Sequence, residues 1–312
     1  MRVLNLVTNS DARFFKQQRR ALGERGVEET TLSVPGTHAH EDGKTKTRNL
    51  SHYVRFTVPA VCHAFGEYDL VHANYGLTAP PAVVQPRLPV VVSLWGTDLM
   101  GPYGWVSRAC VRFADAVVVM TEEMASALDR ECHVIPHGVD LDRFRPEPQP
   151  RAQAVLGWNP DAKHVLFPYP RERTVKNYPR AKRIVESASA SLDDPVELHT
   201  VSGVPHSRMP TYMNAADALL LTSHREGSPN SVKEALACNL PVVAVDVGDV
   251  RTRLDGVDPS PVSQSDAELA GELETILRTG ARSNGREAVR DVSVQSTSTR
   301  LYDVYRSVVD DC

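Results

Sequence analysis

Apolar residues in this chain fall mostly in short unbroken runs separated by longer mixed stretches. RVLNLVT (2–8), VEETTLSV (27–34), DLVHAN (69–74), PVVVSLW (89–95), DAVVVMT (115–121) and CHVIP (132–136) each have strand length. The first intervening stretch, 11–24, has helical spacing, with Phe14, Gln18, Ala21 and Leu22 on one side. Residues 35–51 are polar and read as a loop. Val- and Leu-rich runs separated by helices predict a parallel sheet covered on both faces. The Pro- and charge-rich stretch 137–153 reads as a connection. The alternation then restarts. KHVLFPY (163–169), PVELHTV (195–201), DALLLTS (217–223) and PVVAVD (241–246) are predicted strands, 177–190 and 229–238 are helices, and helices fill most of 265–312. The expected fold class is α/β, with two successive Rossmann-like doubly wound domains and a cleft between them. Ligands of such sheets bind outside the carboxyl ends of the strands.

Composition narrows the function classes. With 41% hydrophobic and 24% charged residues, the 312-residue chain is ordinary globular protein, long enough for two domains of ordinary size or one large α/β domain. Lys plus Arg number 35 against 39 Asp plus Glu, so the net charge of −4 gives no support to a nucleic-acid binder. The five cysteines, Cys62, Cys110, Cys132, Cys238 and Cys312, form no C-x-x-C pair, which disfavours a disulfide framework or thiolate zinc site and favours a reducing cytoplasm. The N-terminus lacks the pattern of a signal peptide, and no run approaches the ~20 apolar residues of a membrane span. The triplet His38-Ala39-His40 with Glu41 reads as loop, and no histidine pattern resembles H-E-x-x-H.

Residues 217–249 carry the most chemistry. They read as strand, small polar turn, helix and strand, the turn being Glu226, Gly227, Ser228, Pro229, Asn230 and Ser231. The first amides of the helix, with its dipole, suit an anion such as a diphosphate. Glu234 lies about 6 Å along the axis from Asn230, which is the span from a diphosphate to its ribose. A carboxylate there accepts from two adjacent hydroxyls. Glu226 sits on the other side of the phosphate position, where a sugar would lie. The competing reading is a pair of acids that complement the helix dipole.

This segment resembles the E-x7-E motif of family 4 glycosyltransferases, with Glu226 and Glu234 at the motif's spacing around SPNSVKEALACNLPVV. The resemblance implies a GT-B fold, donor ribose binding by Glu234, and sugar contact with charge support by Glu226. It also implies sugar and phosphate binding by the backbone of Gly227, Ser228, Asn230, Ser231 and Val232. Arg171 and Lys176, in PRERTVKN, match the family's R-x4-K pair and would face the charge that develops on the leaving diphosphate. Arg173 is the rival for the arginine role, and a solvated basic loop is the bland alternative. VIPHGVDLDRFRP (134–146) resembles the family's I-P-N-G-V-D segment and is read as structural. Its Asp140 and Asp142 form a D-x-D whose place beside a linker argues against metal.

The acceptor half is less explicit. VHANYGLTAP resembles H-A-H-Y-G-L, with Asn74 at the second His, and SLWGTDL resembles H-G-S/T-D, with Trp95 where many members carry His. His72 is either an acceptor contact or a satisfied buried imidazole. Trp95 is either a platform for a sugar face or core, and Asp98 either an acceptor contact or a cap. Arg13, Lys16 and Arg20 share a face of the first helix, which is either a peripheral contact with an anionic membrane or a solvated surface. The resemblance implies an acceptor domain over 1–150, a donor domain over 151–293, and a last helix, about 294–312, that packs back on the first domain.

The implied reaction is transfer of a sugar from a nucleotide-diphosphate sugar to an acceptor hydroxyl with retention, in glycan, polysaccharide or glycolipid biosynthesis. No metal and no other cofactor are expected. Three alternatives stay open at this point: a nucleotide-sugar epimerase on a similar fold, a non-catalytic nucleotide-sugar binder, and a nicotinamide dehydrogenase. The last is disfavoured because the first strand runs into TNSDAR and not G-x-G-x-x-G.

Overall fold

A computed structural model of the chain describes residues 1–36, 48 and 50–310. The loop reading of His38, His40 and Glu41, and Cys312, lie outside the described residues. In chain order the elements are β1 (Arg2–Val7), α1 (Arg13–Gly23), β2 (Glu28–Ser33), α2 (Leu50–His63), β3 (Leu70–Ala73), α3 (Ala79–Val84), β4 (Val90–Ser93), α4 (Thr97–Met100), α5 (Gly104–Val111), β5 (Ala116–Val119), α6 (Glu122–Ser126) and β6 (His133–Val134). They continue with α7 (Gln149–Leu156), β7 (Lys163–Phe167), α8 (Tyr178–Ser189), β8 (Val196–Thr200), α9 (Met209–Ala215), β9 (Ala218–Leu221), α10 (Asn230–Ala237), β10 (Val242–Ala244), α11 (Val250–Leu254), α12 (Asp266–Thr279), α13 (Gly285–Ala288) and α14 (Val294–Asp310).

The chain divides into two compact units, Met1–Gly138 with Val294–Cys312, and Val139–Ser293. The first holds a six-stranded parallel sheet in the order β2-β1-β3-β4-β5-β6. The runs VVVS and AVVV of β4 and β5 are buried throughout, as strands covered on both faces require. α14 closes this unit: Leu301, Val304, Tyr305 and Val308 join Val3, Leu70, Val91 and Val118 in one apolar cluster.

The second unit holds a four-stranded parallel sheet in the order β10-β9-β7-β8. Strand order reverses between β7 and β9, so their carboxyl ends flank the crevice where such sheets take ligands. The segment 139–150, placed with the first domain on sequence, belongs to this unit. Phe144 is buried in its core, Asn214 accepts from Glu147 N and donates to Arg145 O, and Arg286 donates to the carbonyls of Leu141 and Phe144. Its proline and charge content reflects a surface path, not a loose tether.

Candidate functional site

The loops leaving β7 and β9 are tied together. Thr222 Oγ1, just past β9, donates to the carbonyl oxygens of Lys176 and Asn177 at 3.0 and 3.1 Å, and His224 N donates to Val175 O. Asn177 takes a left-handed conformation (φ 56°) and caps α8 by accepting from Arg180 N. These contacts bring Lys176 and Glu226 together, 50 residues apart in sequence. The Lys176 ammonium donates to Glu226 Oε1, to which the Ser223 hydroxyl also donates at 2.6 Å. The ammonium lies 3.9 Å from the centre of the Tyr169 ring. Lys176 is 5% exposed, and burial lowers its pKa while Glu226 raises it. Burial and the neighbouring acids push the Tyr169 phenol upward, so it stays protonated and pairs with the Ser231 hydroxyl.

The start of α10 carries no side-chain cap. The amides of Asn230 and Ser231 therefore have no acceptor within the helix and face the loop, which suits an anion. The Val232 side chain is in the core at 1% exposure, and its amide donates to Pro229 O. Beneath the loop, the ammonium of buried Lys233 donates to Ser228 Oγ at 3.1 Å. Burial draws its pKa down to about 8, with Asp249 opposing. Gly227 O accepts from Asp249 N at 2.9 Å, and Gly248 (φ +57°) lies so close that a Cβ there would meet the carbonyls of Gly227 and Glu226. Gly227 itself opens onto free space.

Glu234, one turn into α10, has a partner that sequence reasoning missed. His206 Nε2 lies 2.7 Å from Glu234 Oε1, and both side chains are largely buried. His206 sits in the turn after β8, beside the Phe144 ring. Only the fold brings that turn to α10. Arg171 is exposed, its guanidinium over the Tyr178 ring at 4.9 Å, and Arg173 is also exposed. Of the R-x4-K pair, the structure seats Lys176 among the acids and leaves Arg171 on the rim.

In the first unit, three residues considered as acceptor contacts are engaged in internal hydrogen bonds. His72 is 0% exposed, with Nδ1 2.6 Å from the Tyr305 hydroxyl and Nε2 2.7 Å from the Ser93 hydroxyl. Burial drops its pKa to about 3, so it is a satisfied neutral imidazole. Asn74 is buried, donating to Asn5 Oδ1 at 2.8 Å and accepting from Gln18. Asp98 is buried and accepts from Gly76 N and Trp95 N, both at 2.8 Å, which makes it a latch for two loops. Burial raises its pKa against those backbone donors. Trp95 is half-buried in an aromatic group with Phe14, His137 and Tyr75, at ring separations of 4.4, 5.4 and 5.8 Å.

The basic face of α1 is partly neutralised, Lys16 pairing with Asp11 at 2.6 Å and Arg20 with Glu24 at 3.3 Å. Asp140 of the D-x-D accepts from the amides of Asp142 and Arg143, which is the work of a turn.

Comparison with known proteins agrees with both halves. Residues 12–143 match the family model described as Glycosyltransferase Family 4, and residues 176–279 match that of Glycosyl transferases group 1. The D-inositol 3-phosphate glycosyltransferase of Xylanimonas cellulosilytica is 28% identical over 308 residues, covering 75% of this chain and 74% of that protein. The protein of the same name from Mycobacterium marinum is 28% identical over 307 residues, covering 80% of this chain and 66% of its own length. Among solved structures, sucrose-phosphate synthase from Thermosynechococcus elongatus superposes with a TM-score of 0.78 at 17% identity, covering all of both chains. Anabaena HepE in complex with UDP superposes at 0.69 and 16% identity, covering 98% of this chain and all of that one. At such identities the superpositions speak for the fold, which is GT-B. Each half is matched by its own glycosyltransferase model, and the chain is a glycosyltransferase.

Proposed function

We propose that the second unit binds a nucleotide-diphosphate sugar and that the enzyme passes the sugar, with retention and without a metal, to an acceptor hydroxyl. One observation carries the reading: the uncapped start of α10 lies between two partnered acids, Glu226 held by Lys176 and Glu234 held by His206, beyond β7 and β9. The diphosphate takes the amides of Asn230 and Ser231. Glu234, steadied by His206, accepts from the ribose hydroxyls, and Glu226 faces the sugar.

As the anomeric carbon separates from the β-phosphate oxygen, negative charge grows on the diphosphate and positive charge on the sugar. Lys176 and Arg171 stabilise the first and Glu226 the second. The acceptor oxygen bonds the anomeric carbon on the face the diphosphate leaves, and the acceptor proton goes to the departing phosphate. Lys176 and the α10 amides supply the positive field that a metal provides elsewhere. Acceptor recognition falls to the first unit. With His72, Asn74 and Asp98 engaged within it, the acceptor meets other residues there.

The relatives named above are D-inositol 3-phosphate glycosyltransferases, which supports a small or glycan-linked polyol as acceptor. The enzyme is placed in the cytoplasm, with peripheral contact at the inner face of the membrane through Arg13, Lys16 and Arg20, all exposed on α1. Among the described residues no helix is long and apolar enough to cross a membrane.

The test is calorimetric binding of UDP, GDP and ADP, with and without EDTA, to the wild type and Glu234→Ala. One nucleotide binds, EDTA changes nothing, and Glu234→Ala loses at least about tenfold in affinity, or 1.4 kcal/mol. Binding of none of the three to folded wild-type protein overturns the reading.

A further inference from the structure

On β7 and the edge strand β8 of the second sheet, two histidines and a glutamate converge. His164 lies near the start of β7, and Glu197 and His199 lie on the neighbouring edge strand β8. Glu197 and His199 are two apart, and Glu197 is the register partner of His164, so all three side chains share one face of the sheet. His164 Nδ1 lies 2.9 Å from His199 Nε2, and Glu197 Oε2 lies 3.3 Å from His199 Nε2 and 3.8 Å from His164 Nδ1. The edge of a tetrahedron built on 2.0–2.1 Å bonds is about 3.3 Å, and these separations bracket it.

The surroundings choose the tautomers. His164 Nε2 is 2.9 Å from the carbonyl oxygen of Asn159, which can only accept. The proton of the neutral ring is therefore on Nε2, and Nδ1 presents its lone pair to the cluster. A backbone carbonyl behind the distal nitrogen is the usual support of a metal-bound histidine. Trp158 stacks on His199 at 3.7 Å with the rings 9° from parallel, and its ring lies 4.7 Å from that of His164, so both imidazoles are held in place. Glu197 is 44% exposed at its side chain and leaves a path to solvent.

We propose that His164, His199 and Glu197 form a divalent-metal site, with Zn²⁺ as the ion best matched to two imidazoles, one carboxylate and a water. It is separate from the donor site and independent of the reading given above. Its role is to tie β7 to the edge strand β8, so it acts on stability and not on turnover.

The experiment uses tag-free protein stripped with EDTA and dialysed. Calorimetric titration with Zn²⁺ saturates at a single ion per chain, and thermal unfolding shifts upward. Co²⁺ in its place gives the visible bands of a four-coordinate ion. Glu197→Gln and His199→Gln each weaken Zn²⁺ binding by at least about tenfold and abolish the thermal shift. Far-UV circular dichroism of both variants stays that of the wild type, which separates ligand loss from misfolding. Absence of saturable Zn²⁺ binding, or equal affinity in wild type and both variants, overturns the proposal and leaves a His-His hydrogen bond as the whole of the interaction.

Discussion

Lys176 and Glu226 neutralise each other in a largely buried place, and the same two groups are the ones that reaction charge would call on. Removing either has two consequences that experiment can separate. Lys176→Ala takes away the buried cation nearest the leaving group, and kcat falls by about 10²–10³, the scale of losing one preorganised donor. Glu226→Gln keeps the shape and the hydrogen bonds of Ser223 and Lys176, so the fold survives while kcat drops with little change in nucleotide Kd. Equal turnover in Glu226→Gln and wild type would remove Glu226 from the reacting centre. His206 acts one step back, through Glu234. His206→Ala raises nucleotide Kd by roughly tenfold, worth 1.4 kcal/mol, less than Glu234→Ala, and His206→Ala adds little further loss when Glu234 is already Ala. His72 sets a different dependence. Its folded pKa of about 3 lies below the ordinary value of 6.5, so unfolded chains bind a proton that the native state refuses. The stabilisation is whole above pH 6.5 and is lost as pH falls from there towards 3, at up to about 1.4 kcal/mol per pH unit. Urea midpoints measured from pH 7 to 4.5 fall more gently in His72→Gln than in wild type, by that one proton's share.

The loop before α10 shows how an element is placed by neighbours remote in sequence. It is pressed from below by Gly248, which follows β10 and whose positive φ brings it against the carbonyls of Glu226 and Gly227. Gly248→Ala adds both the cost of a side chain at φ > 0 and a clash with backbone, together about 2 kcal/mol or more. Nucleotide affinity falls with it, since the displaced atoms carry Glu226. A stability loss with unchanged affinity would show that the loop moves without disturbing the site. Much of this region was readable in advance. The strand, turn and helix over 217–238 announce themselves by an apolar run, a cluster of small polar residues and helical spacing, and Lys176 was found by its place after a parallel strand. Tyr169 and His206 were not legible, because a lone aromatic or histidine carries no mark of the partner that folding supplies. His72 was left between two readings for the same reason: its match is Tyr305, 233 residues onward. The cluster of His164, Glu197 and His199 escaped for want of a helical spacing, since Glu197 and His199 converge on His164 across a strand pair. Strand ends were overdrawn, as at 132–136, where the strand itself is only His133–Val134, extended by one bond from Ile135 N to Val119 O.

At the scale of the whole chain, the two units have separate apolar cores but unequal claims on the sequence, since the first is completed only by its last helix. α14 contributes Leu301, Val304, Tyr305 and Val308 to the first unit, and Tyr305 also supplies the hydroxyl that satisfies buried His72. Four such side chains at ~1.5–3 kcal/mol each are comparable with the whole stability of a domain. Removing them leaves the apolar ends of β1, β3, β4 and β5 uncovered and a buried imidazole nitrogen without its partner, a further cost of about 1–3 kcal/mol. The second unit keeps every member of its own core in the same deletion. Calorimetric unfolding of the intact protein therefore shows a transition that the bound nucleotide raises, by roughly 2.7 kcal/mol at a hundred times Kd, and one whose integrity depends on α14. Deletion of 294–312 abolishes the latter and leaves nucleotide binding by the second unit intact, measured by calorimetry on the truncated chain. Loss of nucleotide binding together with the first unit would mean that the donor site is not the property of residues 139–293 alone, and that the two halves fold as one.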